Sequence, residues 1–348
     1  MRHWFCCLVA LPFLANAAEN STAIIDDIAY TKPQKLVTIG PGRRLNIYCT
    51  GRGSPAVVFD SGLGDGTRVW GLIQPAVAKH TRACSYDRAG LGFSDPPSRP
   101  STSANIVDDL HRLLHAAHVK PPFILVGHSL GGMDVKLYAE TYLSEVVGLV
   151  FVDPSHEDLG KGAWAIDPES QKAYAPYMEA LQRCLKAKPD DFVVGSELVQ
   201  NCGPFPTPRY SAAINAVESE GGTQHARLQA RISEQENVWF TSADQVRAAY
   251  RPLGAIPIIV LTHEAFPRGP TETQEQRDAK NKLWIDLHDQ IAAMSTRGER
   301  LTVDNASHYI QMEQPQVVID SILEVLRTTQ GQLGTASAAP DSTNGTGH

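Results

Sequence analysis

Unbroken apolar runs separated by helical segments limit the folds open to this chain. The clearest are "PFILVG" at 122–127, "VVGLVFVD" at 146–153 and "IPIIVLT" at 256–262. A strand that is apolar at every position, rather than at alternate positions, is buried on both faces. Helices between such strands cover the two faces of a parallel sheet. The sequence therefore predicts an α/β fold built on a mostly parallel sheet.

The alternation of strands and helices is interrupted once. From about residue 156 to residue 250 the sequence is polar, irregular or helical, and strand-like runs return after it. One doubly wound domain with an insertion fits this pattern better than two tandem domains. We predict core segments at 18–155 and 251–329, a cap insertion at 156–250, and a disordered tail at 330–348, whose residues are small and polar.

The N-terminus has the pattern of a cleaved export signal. Arg2 and His3 give a basic start, an apolar run extends from Trp4 to Leu14, and Ala15-Asn16-Ala17 is a small-x-small cleavage site. The apolar run is too short to cross ~30 Å of hydrocarbon as a helix. We predict a signal peptide at 1–17, an exported mature protein in the periplasm or outside the cell, and no stable membrane insertion.

The charge of the chain argues against one class of partner, and its cysteines indicate disulfides rather than a metal or redox site. The formal net charge is -7 and no Lys/Arg-rich block occurs, which argues against nucleic acid as a partner. Removal of the signal leaves Cys49, Cys84, Cys184 and Cys202, an even set entering an oxidising compartment, where three pairings are open. The four form no C-x-x-C pair, so zinc or redox chemistry is not indicated.

The run "VGHSLGG" places Ser129 where a strand ends and a helix begins. A G-x-S-x-G pattern in that setting is typical of a nucleophile elbow, in which a sharp turn exposes the serine. A serine hydroxyl needs a base to take its proton and a carboxylate to orient that base. His308 follows the last predicted strand, at the sheet edge where catalytic groups gather in parallel sheets.

Other histidines are weaker candidates. His111, His115 and His118 lie at i, i+4 and i+7 on a predicted helix, a spacing that can bind a metal, but they flank its apolar face and we interpret them as solvated surface residues. His128 is next to the serine and cannot readily fold back as its base. His156 and His263 lie near strand ends and remain minor candidates.

The sequence resembles the α/β-hydrolase superfamily from about residue 36 to residue 328. Within it, a branch of exported bacterial hydrolases shares the run "YCTGRGSPAVVFDSGLG…W…CSYDRAGLGFSD…VGHSLGG…LVFVDPSHED". The resemblance implies an eight-stranded, mostly parallel sheet with helices on both faces and an inserted cap. It also implies a Ser-acid-His triad in that chain order, with Ser129 as nucleophile, His308 as base, and no cofactor or metal.

The acid departs from the commonest family pattern. Many members carry it after the seventh strand in a G-E-x-D run, and aligning "VLTHEAFP" to that run puts Phe266 at the aspartate position. Glu264 is offset by two residues and is the alternative acid. The other known placement is the end of the sixth strand, where "GLVFVDPSHED" puts Asp153, so we predict Asp153 as the acid.

The resemblance also assigns the oxyanion hole and the disulfides. It gives one backbone N–H donor to Leu130 and the other to Leu63 in the loop "DSGLGDG". The family's sheet order puts the second strand beside the fourth, which favours a Cys49–Cys84 bridge. That leaves Cys184 and Cys202 to close a loop inside the cap.

These features predict an exported serine hydrolase that cleaves carboxylic esters through an acyl-enzyme intermediate, with a small-molecule acyl substrate and water as its partners. A serine nucleophile excludes the epoxide hydrolases and dehalogenases of this fold, which use aspartate. Two alternatives remain open: an amidase or proline-type aminopeptidase, and a non-catalytic binding protein. Recognition of a free amine would need acidic cap residues, and the candidates are Glu218, Glu220, Glu234 and Glu236.

Overall fold

A single sheet lies at the centre of the computed structural model, which describes residues 23–193, 196–203, 206–269 and 272–337. Across the sheet the order is β1-β2-β4-β3-β5-β6-β7-β8; β2 is antiparallel to both neighbours and the other pairs are parallel. This confirms the predicted eight-stranded, mostly parallel sheet. The strands are β1 (Leu36–Gly40), β2 (Arg43–Thr50), β3 (Ala56–Asp60), β4 (Ala83–Tyr86), β5 (Phe123–His128), β6 (Val146–Val152), β7 (Ile258–His263) and β8 (Gly298–Val303).

Twelve α-helices lie within the described residues, most of them on the two faces of the sheet or in the insertion after β6. Short 3-10 helices add single turns at Ile28–Thr31, Thr67–Trp70, Leu143–Glu145 and Pro189–Asp191. The α-helices are α1 (Gln74–Val77), α2 (Ser103–Ala116), α3 (Leu130–Thr141), α4 (Leu159–Ile166), α5 (Pro168–Cys184), α6 (Glu197–Cys202), α7 (Ala212–Gly222), α8 (His225–Val238), α9 (Thr241–Ala249), α10 (Gln274–Ala292), α11 (Ile310–Glu313) and α12 (Pro315–Ser337).

The central strands are buried along their whole length, as their continuous apolar sequence predicts. Every residue of β3, β5 and β7 is buried. One core lies on the face covered by α2 and α3, with Leu110 and Met133 at its centre, and a second lies on the face covered by α12, with Ile322. Burial of apolar side chains on both faces is the main force that holds this layered arrangement together.

The insertion between β6 and β7 carries helices α4 to α9. In the predicted cap range, α9 packs on α2 and α3, and its Ala243 and Val246 belong to the main core. The remaining cap has a small core of its own around the Cys184–Cys202 disulfide, whose Cα atoms are 5.8 Å apart. In the sheet, Cys49 and Cys84 are directly opposite each other on β2 and β4 and form the other disulfide.

Two local expectations differ from the structure. The apolar spacing of "TRVWGLIQPAVAKH", residues 67–80, predicts one helix. The segment instead forms two short turns, Thr67–Trp70 and α1, because Gly71 and Pro75 interrupt it. The final helix continues to Ser337, so the predicted tail boundary at residue 329 falls inside α12. That helix is already anchored by its buried apolar face, and propagation adds residues at little cost.

Two predicted segments concern the chain ends. The predicted signal peptide, 1–17, lies outside the described residues, as do residues 338–348 of the predicted tail. Within the described ranges, none of the helices combines the length and the apolar character needed to cross a bilayer.

Candidate active site

Ser129 lies at a sharp turn between β5 and α3. Its backbone has φ 52° and ψ -120°, a conformation that costs a non-glycine residue free energy and recurs at functional sites. The turn is held from both sides, because Ser129 N donates to Val152 O (3.3 Å) and Ser129 O accepts from the N–H groups of Gly132 and Ser155 (2.9 Å each). The strain at Ser129 is therefore supported by the neighbouring strand and helix.

The glycines around Ser129 permit the close approach of strand and helix. A Cβ on Gly127 would lie 2.4 Å from Gly131 O, and a Cβ on Gly131 would lie 2.4 Å from Asp60 O. Both are backbone atoms, which cannot move aside as the end of a side chain can. The spacing of the G-x-S-x-G pattern is thus a packing requirement of this turn.

Asp153 follows β6 and is completely buried, with φ 46°. Its Oδ2 lies 2.6 Å from Nδ1 of His308 and 2.7 Å from Nδ1 of His263. Its Oδ1 accepts from the backbone N–H of His263 and from Nε1 of Trp284, both at 3.1 Å. Burial opposes ionisation, but the hydrogen bonds from His263 and His308 outweigh it and hold the pKa of Asp153 below its ordinary value.

His308 lies in the loop between β8 and α11, with its side chain 30% exposed. Because an ionised carboxylate is an acceptor only, Nδ1 of His308 carries the proton of the bond to Asp153. Nε2 is then left free of that bond and able to accept a proton from a partner at the sheet edge. The structure therefore brings His308 and Asp153 together, at the same edge as Ser129.

His128 is held in a neutral form. Its Nε2 lies 2.9 Å from the backbone oxygen of His308, and a carbonyl accepts only, so Nε2 carries the proton. Burial, with a smaller contribution from the nearby His308 ring, lowers the pKa of His128 to about 3. The residue supports the loop that carries His308 and is not available as a base.

Glu264 is exposed, one residue beyond β7. Within the described residues, no hydrogen bond or ion pair joins Glu264 to His308, whose Nδ1 is taken by Asp153. Phe266, which aligns with the aspartate of the commoner family pattern, packs edge to face on the His263 ring, with ring centroids 4.0 Å apart. The β7 end thus contributes a histidine and an aromatic ring to the site rather than a carboxylate.

Arg88 fixes the loop that follows β3. Its guanidinium donates to the backbone oxygens of Ser61 (2.6 Å) and Gly62 (2.5 Å) and to Asp60 Oδ1 (2.8 Å). In a trans peptide the C=O and N–H point in opposite directions. With the oxygen of Gly62 held by Arg88, the N–H of Leu63 points away from the guanidinium.

Glu234, on cap helix α8, contacts both Arg88 and the loop after β3. Its Oε1 accepts from Arg88 Nε (2.7 Å) and its Oε2 accepts from Gly64 N (2.8 Å). The Arg88 and Glu234 side chains are 3% and 1% exposed, so the ion pair is shielded from solvent. One buried ion pair therefore couples the cap to the backbone on both sides of Leu63.

A cavity of about 710 Å³ opens between this loop and the cap. Leu63 borders it from the core, and Tyr309, next to His308, borders it from the loop after β8. Asp65, which accepts from the Tyr309 hydroxyl at 3.3 Å, also lines it, and burial raises the pKa of Asp65 to about 6. The volume is in the usual range of small-molecule sites.

Sequence reasoning missed several residues of the site. His263 was only a minor candidate, Glu234 was considered only for recognition of a free amine, and Trp284 and Arg88 had no assigned role at the site. His288 supports the turn after Asp153: its Nε2 donates to Pro154 O (2.8 Å), and burial lowers its pKa to about 4. The one available signal was position: His263 directly follows the predicted strand "IPIIVLT", and Arg88 lies two residues after the end of β4.

Comparisons with known proteins agree with the fold. A family model described as "Alpha/beta hydrolase family" matches residues 57–321. YqjL of Bacillus subtilis is 24% identical over 276 residues, covering 79% of this chain and 85% of that protein. A match to a protein of Hormonema carpetanum is 36% identical but spans 109 residues, 30% of this chain and 16% of that protein.

Solved structures share the architecture at low sequence identity. A mutant of a candidate epoxide hydrolase from Pseudomonas aeruginosa has a TM-score of 0.63 at 19% identity, covering 85% of this chain and 96% of that one. A thermophilic esterase from Thermogutta terrifontis has a TM-score of 0.56 at 19% identity, covering 86% and 99%. These likenesses describe the fold, and the matched family model covers most of the sequence. The chain belongs to the alpha/beta hydrolase family.

Proposed function

We propose that this protein is an exported serine hydrolase that cleaves carboxylic esters through an acyl-enzyme intermediate. The observation that carries the proposal is the 2.6 Å contact between His308 Nδ1 and Asp153 Oδ2, at the sheet edge where Ser129 occupies a strained elbow. This is the arrangement in which a serine hydroxyl is activated by a histidine that a carboxylate orients.

In the acylation step, Ser129 Oγ attacks the ester carbonyl carbon while His308 Nε2 takes the hydroxyl proton. Asp153 stays ionised, keeps the imidazole in the tautomer with the proton on Nδ1, and stabilises the imidazolium that forms. The tetrahedral intermediate then collapses, the C–O bond to the alcohol breaks, and His308 gives its proton to the leaving alkoxide. Water repeats the sequence on the acyl-enzyme and releases the acid and free Ser129.

The negative charge on the carbonyl oxygen is assigned to two backbone donors. Leu130 is the first residue of α3, and the first N–H groups of a helix have no intrahelical partner. The Leu63 N–H is the second donor, and the Arg88 contacts that hold Gly62 O support its orientation. Each such donor is worth roughly 3 kcal/mol in the transition state.

The charge pairing in the cap favours esters over substrates with a free amine. Glu234 is engaged by Arg88, and Glu218 forms ion pairs with Arg68 and Arg227. A carboxylate already neutralised by an arginine has little attraction left for a substrate ammonium. Comparing a short-chain p-nitrophenyl ester with an aminoacyl anilide tests this choice, and faster turnover of the anilide would contradict it.

Export is supported by the cysteines. The structure holds two cysteine pairs at disulfide geometry, a feature of proteins that fold in an oxidising compartment. Fractionation of cells that express the full chain is expected to recover the protein outside the cytoplasm, shortened near Ala18. Recovery of the full-length chain in the cytoplasm alone would contradict export.

The decisive test of the activity is Ser129→Ala. We expect loss of p-nitrophenyl ester turnover and of labelling by a fluorophosphonate probe, with the fold retained by circular dichroism. A matched control is Ser144→Ala, which removes an exposed serine from the 3-10 helix between α3 and β6, on the opposite edge of the sheet. Unchanged turnover in Ser129→Ala would overturn the proposal.

A further inference from the structure

A group of possible metal ligands lies at the amino edge of the sheet, away from the site described above. His111 and His115 are one helical turn apart on α2, and Glu145 ends the 3-10 helix that leads into β6. Ser129 and Asp153 instead follow the carboxyl ends of β5 and β6. The two groups of residues therefore lie at opposite ends of the strands of the sheet.

The three side chains point their ligand atoms at one another. Nε2 of His111 is 3.2 Å and Nε2 of His115 is 3.5 Å from the same oxygen, Oε1 of Glu145. One ligand atom from each of the three residues lies within 4.8 Å of the ligand atoms of the other two. In a tetrahedral zinc site with bonds of ~2.0–2.1 Å, the ligand atoms are separated by about 3.3–3.4 Å. The two measured nitrogen–oxygen distances match the edges of such a tetrahedron.

Neighbouring side chains orient two of these ligands. The Tyr138 hydroxyl donates to Glu145 Oε2 at 2.6 Å, which leaves Oε1 facing the histidines. The Tyr142 ring stacks on His111 at 3.9 Å with an interplanar angle of 7°. Metal sites commonly have such outer partners, which fix ligand orientation.

The cluster is also open to solvent on one side. The His115 side chain is 57% exposed, whereas those of His111 and Glu145 are 26% and 16% exposed. An ion can thus enter beside His115, whose ring has room to rotate toward it, and a water can complete the coordination.

We propose that His111, His115 and Glu145 form a binding site for a divalent transition-metal ion, Zn²⁺ by its geometry. Bound metal would tie the last turns of α2 to the entrance of β6. From the sequence these histidines are interpreted as solvated surface residues because they flank the apolar face of a helix. Glu145 is 34 residues from His111, and the helical spacing does not show that the two meet. His118, the third histidine of that pattern, lies beyond the helix with φ 57° and is not one of the three ligands.

The test is isothermal titration of the purified, untagged protein with ZnCl₂. We expect one equivalent to bind and the binding to be lost in His115→Ala, whose exposed side chain is removed without opening the core. His80→Ala, which removes another exposed histidine, is the matched control and is expected to bind as the wild type does. Absence of binding to the wild type, or equal binding by His115→Ala, would overturn the proposal.

A second variant tests the orientation of Glu145. Tyr138→Phe removes the hydroxyl that holds Oε2 but leaves the ring, and loss of an outer partner costs metal sites about 10- to 100-fold in affinity. Thermal unfolding with and without ZnCl₂ is a second measurement of zinc binding by the wild type, His80→Ala and His115→Ala. The unfolding midpoint is expected to rise with ZnCl₂ in the wild type and in His80→Ala but not in His115→Ala. A rise of equal size in His115→Ala would place the metal elsewhere and contradict this site.

Discussion

Asp153, directly after β6, accepts a hydrogen bond at Oδ2 from Nδ1 of His263, the last residue of the neighbouring strand β7, at 2.7 Å. The His263 side chain is 1% exposed, and among the described residues its Nε2 has no hydrogen-bond partner. A second histidine therefore holds the carboxylate that also faces His308. The end of β7, which carries the acid in many relatives of this fold, here provides a histidine that holds the carboxylate of Asp153 beside the adjacent strand.

Replacement of His263 by Leu is expected to destabilise the protein and slow turnover. The buried carboxylate of Asp153 would lose one charge-assisted hydrogen bond, worth about 1.5–3 kcal/mol. The pKa of Asp153 would rise toward its ordinary value, because a hydrogen bond to the ionised form would be gone. Guanidinium unfolding and p-nitrophenyl ester kinetics measure the two effects. An unchanged free energy of unfolding would show that His263 does not support Asp153.

Asp153→Asn and Glu264→Gln distinguish the two candidate acids. With asparagine at 153, His308 is no longer held in the productive tautomer, and we expect kcat to fall by about 10⁴-fold. Glu264 is exposed, so its neutral analogue is expected to keep nearly normal turnover. The reverse result, normal turnover in Asp153→Asn and a large loss in Glu264→Gln, would exclude Asp153 as the acid.

Glu234→Gln is expected to weaken the link between the cap and the loop that carries Leu63. Arg88 would keep its ion pair with Asp60 but lose the charge of Glu234, and removing one partner of a buried ion pair costs up to about 3–5 kcal/mol. The loop would be less well fixed, and we expect kcat to fall more than tenfold, with a smaller change in KM. Active-site titration with a fluorophosphonate separates misfolding from slow turnover.

The control for Glu234→Gln is Glu236→Gln on the same helix. Glu236 is exposed and contacts Gln182 rather than the loop. Its neutral analogue is expected to have wild-type kcat and stability. Equal losses in the two variants would mean that Glu234 has no particular role at the site.

Buried neutral histidines predict a pH dependence of stability. Burial lowers the pKa of His288 to about 4, whereas the unfolded chain takes up that proton near pH 6.5. Because the unfolded state binds more protons between about pH 6.5 and pH 4, the free energy of unfolding falls as the pH falls, by up to about 1.4 kcal/mol per pH unit.

The His288 contribution is measured by difference. Guanidinium unfolding at pH 7, 6 and 5 gives the slope for the wild type and for His288→Gln, which has no proton to take up. The variant is expected to be destabilised at every pH but to have the shallower slope. The same slope in both proteins would contradict a neutral, buried His288.

Much of the fold could be predicted from short-range patterns. The strands β5, β6 and β7 correspond to unbroken apolar runs, and the five consecutive residues of the G-x-S-x-G pattern, 127–131, predict the turn at Ser129. The helical periodicity of residues 103–116 matches α2, which begins after the N-cap Thr102. The errors lie where local spacing competes with another constraint, as at Gly71 and Pro75, or where a helix continues past its buried apolar face, as α12 does beyond residue 329.

The sequence by itself determined the layered sheet, the position of Ser129 at its edge, and the place of His308 after the last strand, because each depends on residue types within one element and its flanking turn. Tertiary structure alone decided which groups meet there. Asp153 contacts His308 across 155 residues and His263 across 110, while Glu234 reaches Arg88 across 146. Contacts at such separations depend on strand order and on how the cap is seated, and no local pattern encodes either.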